Sequence, residues 1–136
     1  MTGGRMAQAT ARRVFIAEDQ RGMRHLVRWL VELEDGLEVV GEAATGREAL
    51  DGADRLRPDA VVLDLGLPDV DGEAVLPKLR TGLPDATIVV LSGQASALIQ
   101  PRIRALGADA VVEKDSASPQ WQANLLAELH RAHAVA

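Results

Sequence analysis

Residues 61–72, VVLDLGLPDVDG, decide how the rest of the sequence is interpreted. The stretch begins as an apolar run of strand length and ends in Pro, Asp and Gly, which are typical turn residues. Asp64 lies where the predicted strand stops, and the carboxyl ends of strands in a parallel α/β sheet line the ligand crevice. Taken alone, an Asp at this position more commonly hydrogen-bonds its own loop. The residues elsewhere in the chain make Asp64 a candidate functional residue.

The composition indicates one ordinary globular domain. The chain has 136 residues, of which 47% are hydrophobic and 26% charged, enough for one core. It has no Cys, which excludes disulfides and thiolate zinc sites. A net charge of −5 and only three aromatic residues disfavour nucleic acid as a direct partner. Because there is neither a membrane-spanning apolar run nor a signal peptide, we expect no membrane partner and a cytoplasmic location.

Strand and helix patterns alternate five times along the chain. The predicted strands are residues 13–18, 37–44, 60–64, 86–92 and 109–113. The first 12 residues show no periodicity and are expected to be a flexible leader, so that the domain covers residues 13–133. Strands 3 to 5 are apolar on both faces, as in a parallel sheet covered by helices. The sequence predicts a single flavodoxin-like three-layer α/β sandwich with a five-stranded parallel sheet of order 2-1-3-4-5.

A helix is predicted after each strand. The first carries an apolar stripe over residues 23–31, and the second spans residues 46–57. The third begins near Asp71-Gly72, and Pro77 inside it predicts a bend or an early end. The fourth lies between residues 95 and 106 and either kinks at Pro101 or begins there. In the fifth, Ser118 is the predicted N-cap and Pro119 the first helical residue.

Five polar residues stand at the ends of the predicted strands. Glu18 and Asp19 follow strand 1, Asp64 ends strand 3, Ser92 ends strand 4, and Lys114 follows strand 5. All five are expected at one edge of the sheet, because the carboxyl ends of parallel strands meet there. The predicted order makes strands 1 and 3 neighbours, so the three carboxylates should share one crevice.

Such a carboxylate cluster favours a hard cation. Two like charges about 4 Å apart repel by roughly 4 kcal/mol at an effective dielectric near 20. Mg²⁺ takes oxygen ligands and commonly binds one or two carboxylates together with a phosphate. Lys114 supplies a mobile positive charge, and the Ser92 hydroxyl can donate to an anionic oxygen. Together these are the parts of a phosphoryl-transfer site with a carboxylate nucleophile.

With these motifs in order, the chain resembles the receiver domain of bacterial two-component response regulators over about residues 13–133. The matching segments are Glu18-Asp19, the LDLGLPDVDG segment, Ser92-Gly93, the ALGAD turn and Glu113-Lys114. The LEVVGEAATGREAL stretch is similar to the subfamily in which a receiver is joined to a DNA-binding helix-turn-helix.

The resemblance implies a role for each site residue. Asp64 would be the phosphoacceptor. Glu18, Asp19, Asp64 and the backbone carbonyl of Gly66 would hold Mg²⁺. Ser92 would move onto the phosphoryl group, and Lys114 would pair with it.

The resemblance also implies partners. The phosphoryl group would come from a histidine kinase or a phosphotransfer protein, and the output would be downstream of this domain. We expect a monomer or a weak dimer that depends on phosphorylation. The domain would be a signalling module that assists its own phosphorylation and dephosphorylation, not an enzyme.

The sequence departs from the family pattern at several positions. Receivers usually carry Tyr or Phe three residues before the lysine, whereas this chain has Val111, so the switch position lacks an aromatic. Leu67 replaces the more common Met, and Gly66 and Gln94 occupy the two variable positions that tune dephosphorylation. Pro101 inside the fourth helix is unusual. These departures leave the phosphoacceptor intact and concern the output mechanism.

Two other functions remain open from the residues. The first is a Mg²⁺-dependent small-molecule phosphatase or phosphotransferase with Asp64 as nucleophile, although Gly66 stands where a second acid would support it. The second is a receiver-like interaction module that is never phosphorylated, against which Ser92 and Lys114 argue. Trp29 and Trp121 are interpreted as packing residues and not as binding anchors.

Overall fold

The computed structural model describes residues 10–69, 72–93, 99–115 and 117–133. Within these ranges five strands and five helices alternate. Their bounds are β1 Arg12–Ala17, α1 Arg21–Leu33, β2 Leu37–Ala43, α2 Gly46–Leu56, β3 Ala60–Leu63, α3 Gly72–Gly82, β4 Thr87–Ser92, α4 Gln100–Ala105, β5 Ala110–Glu113 and α5 Gln120–His130.

The strands form one parallel sheet in the order β2-β1-β3-β4-β5, which confirms the predicted topology. Ala17 of β1 pairs with Leu63 of β3, and Leu63 pairs with Val90 of β4. The strands therefore end almost level with one another, so the residues that follow them come to the same edge.

Helices cover both faces of the sheet. One apolar cluster joins the sheet to α2, α3 and α4 and includes Leu63, Leu76 and Ile103. The other joins it to α1 and α5 and includes Val27 and Leu125. Alternate residues of each strand enter the two clusters, as expected for a sheet buried on both faces. The predicted three-layer sandwich is confirmed.

The first strand begins one residue earlier than predicted, at Arg12, which was assigned to the leader. Its side chain donates from Nε to the Leu129 carbonyl at 2.9 Å and from Nη2 to Thr87 Oγ1 at 2.9 Å. Arg12 is therefore an anchored part of the domain. Residues 1–9 of the expected leader lie outside the described part of the chain.

The weak strand pattern around Gly41 has a packing explanation. The register between β1 and β2 shifts at Val14 and Phe15, which leaves Val40 as the extra residue of a bulge. A Cβ at Gly41 would lie 2.9 Å from the ring of Phe15, and one at Gly52 would lie 2.6 Å from it. The two glycines make room for the chain's one phenylalanine.

The structure tests the predictions made from three prolines. The helix α3 continues through Pro77 to Gly82, so the expected early end is wrong. The fourth helix was expected either to kink at Pro101 or to begin there. It begins there, since α4 starts at Gln100 with Pro101 in its first turn, where a missing N–H is tolerated. The predicted start of this helix at residue 95 and the position of Gln94 fall outside the described residues. Pro119, not Ser118, is the N-cap residue of α5.

The two tryptophans have different environments. Trp121 is buried on the inner face of α5, as predicted, with 7% of its surface exposed. Trp29 is 59% exposed on α1, so its interpretation as a packing residue is wrong. In the described ranges, no helix is both long enough and apolar enough to cross a bilayer.

Candidate functional site

Main-chain hydrogen bonds align the residues that follow the strands. Glu18 N donates to the Ala43 carbonyl at 3.0 Å, and Asp64 N donates to the Ala17 carbonyl at 2.9 Å. At the other side of the edge, Lys114 N donates to the Ser92 carbonyl at 2.8 Å. These bonds continue the hydrogen-bonding pattern of the sheet past the ends of the strands. They fix the backbone of the candidate residues, because each bond joins one strand end to a neighbouring strand.

The predicted carboxylate cluster is present. Glu18, Asp19 and Asp64 each offer an oxygen, and these oxygens lie within 4.8 Å of one another. The donor set consists of hard anionic oxygens at the spacing that one cation can bridge, which fits Mg²⁺. Glu18, Asp19 and Asp64 are therefore the residues that could hold the ion.

The Glu18 carboxyl shows how crowded this cluster is. The residue is only 1% exposed, and burial, followed by a hydrogen bond to Asp64, raises its pKa from 4.5 to about 7. Lys114 Nζ lies 3.3 Å from Glu18 Oε1 and acts in the opposite direction. A cation between the acids would relieve the repulsion that favours the protonated form.

The loop after Asp64 is fixed at two points. Gly66 N donates to Asp64 Oδ1 at 3.1 Å. Further along, the Asp69 carboxylate accepts from Gly46 N at 2.6 Å and from Arg47 N at 3.1 Å, at the N-terminus of α2. The assignment of the Gly66 carbonyl as a metal ligand stays a prediction.

Ser92 and Lys114 lie on the side of the cluster toward β5. Ser92 ends β4 with 9% of its surface exposed and pairs with Glu113. Val111 lies within β5, partly buried against the core cluster beneath α2, α3 and α4. All five polar residues predicted at the strand ends therefore reach the same edge, and their individual roles stay predictions.

Sequence reasoning missed the contacts of two residues, Arg24 at the site itself and Asp69 in the loop that follows Asp64. Arg24 Nη1 donates to the Glu18 carbonyl at 2.9 Å, and Asp69 caps a helix that precedes it by more than a dozen residues in the chain. The one available signal for Arg24 was a positive charge in the first turns of a helix, where the dipole disfavours it.

The parallel order 2-1-3-4-5 and the acidic cluster between β1 and β3 define a receiver-like class of α/β domain. The chain belongs to the response regulator receiver domain family, whose profile matches residues 14–126.

Individual relatives support this assignment. The chain is 39% identical over 102 residues to a putative transcriptional regulator of Pseudomonas aeruginosa, covering 75% of this chain and 49% of the relative. It is 41% identical over 112 residues to the nitrate/nitrite response regulator protein NarP of Escherichia coli, covering 82% and 52%. The chain thus spans about half the length of these relatives.

Solved structures agree with the fold. The signal receiver domain of the putative response regulator NarL from Mycobacterium tuberculosis superposes with a TM-score of 0.76 at 28% identity. The match covers 89% of this chain and 98% of that one.

Proposed function

We propose that this receiver domain accepts a phosphoryl group on Asp64 and relays the signal by a conformational change. The observation that carries the proposal is the carboxylate cluster of Glu18, Asp19 and Asp64, whose oxygens lie within 4.8 Å of one another at the carboxyl edge of the sheet. Membership of the response regulator receiver family supports the same function.

Each side chain has a chemical role in this proposal. A carboxylate oxygen of Asp64 bonds to phosphorus as the bond from phosphorus to the donor's leaving atom breaks. Glu18, Asp19 and Asp64 would hold Mg²⁺, with the Gly66 carbonyl as a further ligand. The ion, when bound, neutralises charge on the phosphoryl oxygens. Lys114 exchanges its contact with Glu18 for a phosphoryl oxygen, and the Ser92 hydroxyl donates to another.

The donor in this proposal is a histidine kinase or a phosphotransfer protein, and the domain acts as a signalling module. The relative NarP is a nitrate/nitrite response regulator, and another relative is named as a transcriptional regulator. A transcriptional output is therefore the proposed destination of the signal. The domain itself, with its net charge of −5, is not the part that would bind nucleic acid.

Phosphorylation of the isolated protein tests this function. Acetyl phosphate with Mg²⁺ should add one phosphoryl group to the wild type, measured by intact-protein mass spectrometry, and the Asp64→Asn variant should take up none. The substitution is nearly isosteric and removes the nucleophilic charge. The matched control Asp59→Asn lies at the opposite end of β3 and should be phosphorylated normally.

Two outcomes would contradict the proposal. Phosphoryl uptake by Asp64→Asn at the wild-type rate would show that the acceptor is a different residue. Absence of uptake by the wild type, in a protein that folds and binds Mg²⁺, would favour the interaction module that is never phosphorylated. Multiple turnover of phosphate esters would instead favour the small-molecule phosphatase.

A further inference from the structure

The Arg24 side chain connects the acidic residues after β1 to strand β2. Its Nη1 donates to the Glu18 carbonyl at 2.9 Å and lies 3.4 Å from the Asp19 carbonyl. Its Nε lies 3.3 Å from Glu42 Oε1, and both side chains of this ion pair are mostly buried, at 18% and 22% exposed. One guanidinium therefore contacts the backbone of both acids and a carboxylate of the neighbouring strand.

The location of Arg24 is electrostatically unfavourable apart from these contacts. It is the fourth residue of α1, whose first turn contains no acidic side chain. A cation near a helix N-terminus opposes the helix dipole. It also lies next to the acids where Mg²⁺ would bind. The contacts with the two carbonyls and Glu42 offset both effects, because a guanidinium can donate in several directions at once.

The backbone of Glu18 is consequently fixed at both of its polar groups. Its N–H is bonded to Ala43 of β2 at 3.0 Å, and its carbonyl is bonded to Arg24 at 2.9 Å. The side chains of Glu18, Asp19 and Asp64 repel one another in the absence of a cation. A backbone held at both groups keeps those side chains together despite the repulsion.

We propose that Arg24 is a positioning residue for the metal site, which holds the Glu18-Asp19 backbone so that both carboxylates face Asp64. This inference rests on the proposed function for the identity of the ion. Arg24 does not touch the ion or the phosphoryl group. It acts through the two carbonyls, while Glu42 fixes the guanidinium and is itself paired with Arg28.

The proposal and simple electrostatics predict opposite effects of removing Arg24 on the affinity for Mg²⁺. As a nearby positive charge, Arg24 repels Mg²⁺, so removing it should tighten binding if charge alone mattered. As a positioning residue, Arg24 preorganises the ligands, so removing it should weaken binding. Loss of a residue that orients metal ligands commonly reduces affinity by about 10–100-fold.

The Mg²⁺ affinity of three variants, measured by calorimetric or NMR titration, tests the proposal. Arg24→Gln should weaken Mg²⁺ binding by about tenfold or more. Arg24→Lys keeps the positive charge and the aliphatic part of the side chain, but its ammonium group lacks the planar fork of donors that a guanidinium has. It should therefore also weaken Mg²⁺ binding. The control Arg28→Gln removes an equal charge from the same helix and the same Glu42 network without touching either carbonyl. It should bind Mg²⁺ like the wild type.

The outcomes separate the alternatives. If Arg24→Gln and Arg24→Lys bind Mg²⁺ as tightly as the wild type or more tightly, the proposal is overturned. Equal weakening in Arg28→Gln would overturn it as well, because the effect would then come from the ion-pair network. If Arg24→Gln does not fold, Arg24→Lys carries the test. Failure of the proposed function would appear differently, as a wild type that binds Mg²⁺ without taking up a phosphoryl group.

Discussion

At the scale of single residues, Glu18 is the most constrained group of the site. It is buried, it shares a hydrogen bond with Asp64, and its pKa is raised from 4.5 to about 7. A carboxyl whose pKa is higher in the folded state binds protons more tightly there than in the unfolded chain. Its stabilising contribution is fully present below pH 4.5 and is lost as the pH rises through about 7.

Replacing Glu18 with Gln should therefore stabilise the metal-free protein at neutral and alkaline pH. We expect the difference in unfolding free energy between Glu18→Gln and the wild type to grow from near zero at pH 4.5 to roughly 1–3 kcal/mol at pH 8. Thermal unfolding in a chelator, followed by circular dichroism across this pH range, measures the difference.

The matched control is Glu38→Gln, which changes an exposed glutamate on β2 and should leave the unfolding free energy close to that of the wild type. Excess Mg²⁺ should reverse the order of stability, because only the wild type retains the complete carboxylate set. A Glu18→Gln variant less stable than the wild type at pH 8 without metal would contradict this account of the site.

At the scale of elements, Asp69 joins the loop after Asp64 to α2. The helix also has its own cap, since Thr45 Oγ1 accepts from Glu48 N at 3.1 Å. Asp69 adds two further acceptor contacts, to Gly46 N and Arg47 N, and its charge interacts favourably with the helix N-terminus. The loop that carries Asp64 is thereby attached to a neighbouring helix.

Two cap variants should separate the stability of α2 from the order of the loop. Asp69→Ala and Thr45→Ala should each cost about 1 kcal/mol in unfolding free energy, the usual effect of losing a cap. In native-state hydrogen exchange, only Asp69→Ala should reduce protection at Asp64 and Gly66. Equal loss of protection there in Thr45→Ala would show that Asp69 has no separate effect on the loop.

At the scale of the whole molecule, α4 is the element best suited to move when the site is phosphorylated. It has six residues, and among those that the structure describes only Ile103 is buried. Short, lightly packed elements unfold locally at low cost. Val111, a β-branched residue within β5, does not supply a rotating aromatic ring.

Beryllofluoride with Mg²⁺ should therefore change hydrogen exchange over residues 99–107 more than over α5. The Ser92 hydroxyl, drawn toward the phosphoryl mimic, would pass the change from the end of β4 to α4. The Asp64→Asn variant with the same additives is the control and should show no change. A response confined to α1 or α5, with constant protection over residues 99–107, would exclude α4 as the moving element.

The sequence predicted the five strands and the edge shared by the polar residues that follow them because these depend on local patterns, whereas the strand order came from the flavodoxin-like arrangement. Apolar runs of strand length ending in polar residues specify both the strands and the edge they share. The errors at Pro77 and Ser118 concern the local effect of a proline on a helix, and others concern contacts between distant segments. Arg12 is fixed by residues near the other end of the chain, and Arg24 of α1 meets Glu42 of β2. Trp29 is a large apolar residue of α1, but it lies outside the helix face that packs against the sheet and is 59% exposed.

The anchoring of Arg12 also determines how the ends of the domain are arranged. Its Nη2 lies 3.2 Å from the Arg131 carbonyl, so the start of β1 and the residues after α5 are separated by one arginine side chain. They meet at the edge of the sheet opposite the acidic cluster. The two ends of the described part of the chain therefore lie near each other, and a short linker from His133 to Ala11 would permit circular permutation, with new ends in the exposed turn at Asp35-Gly36.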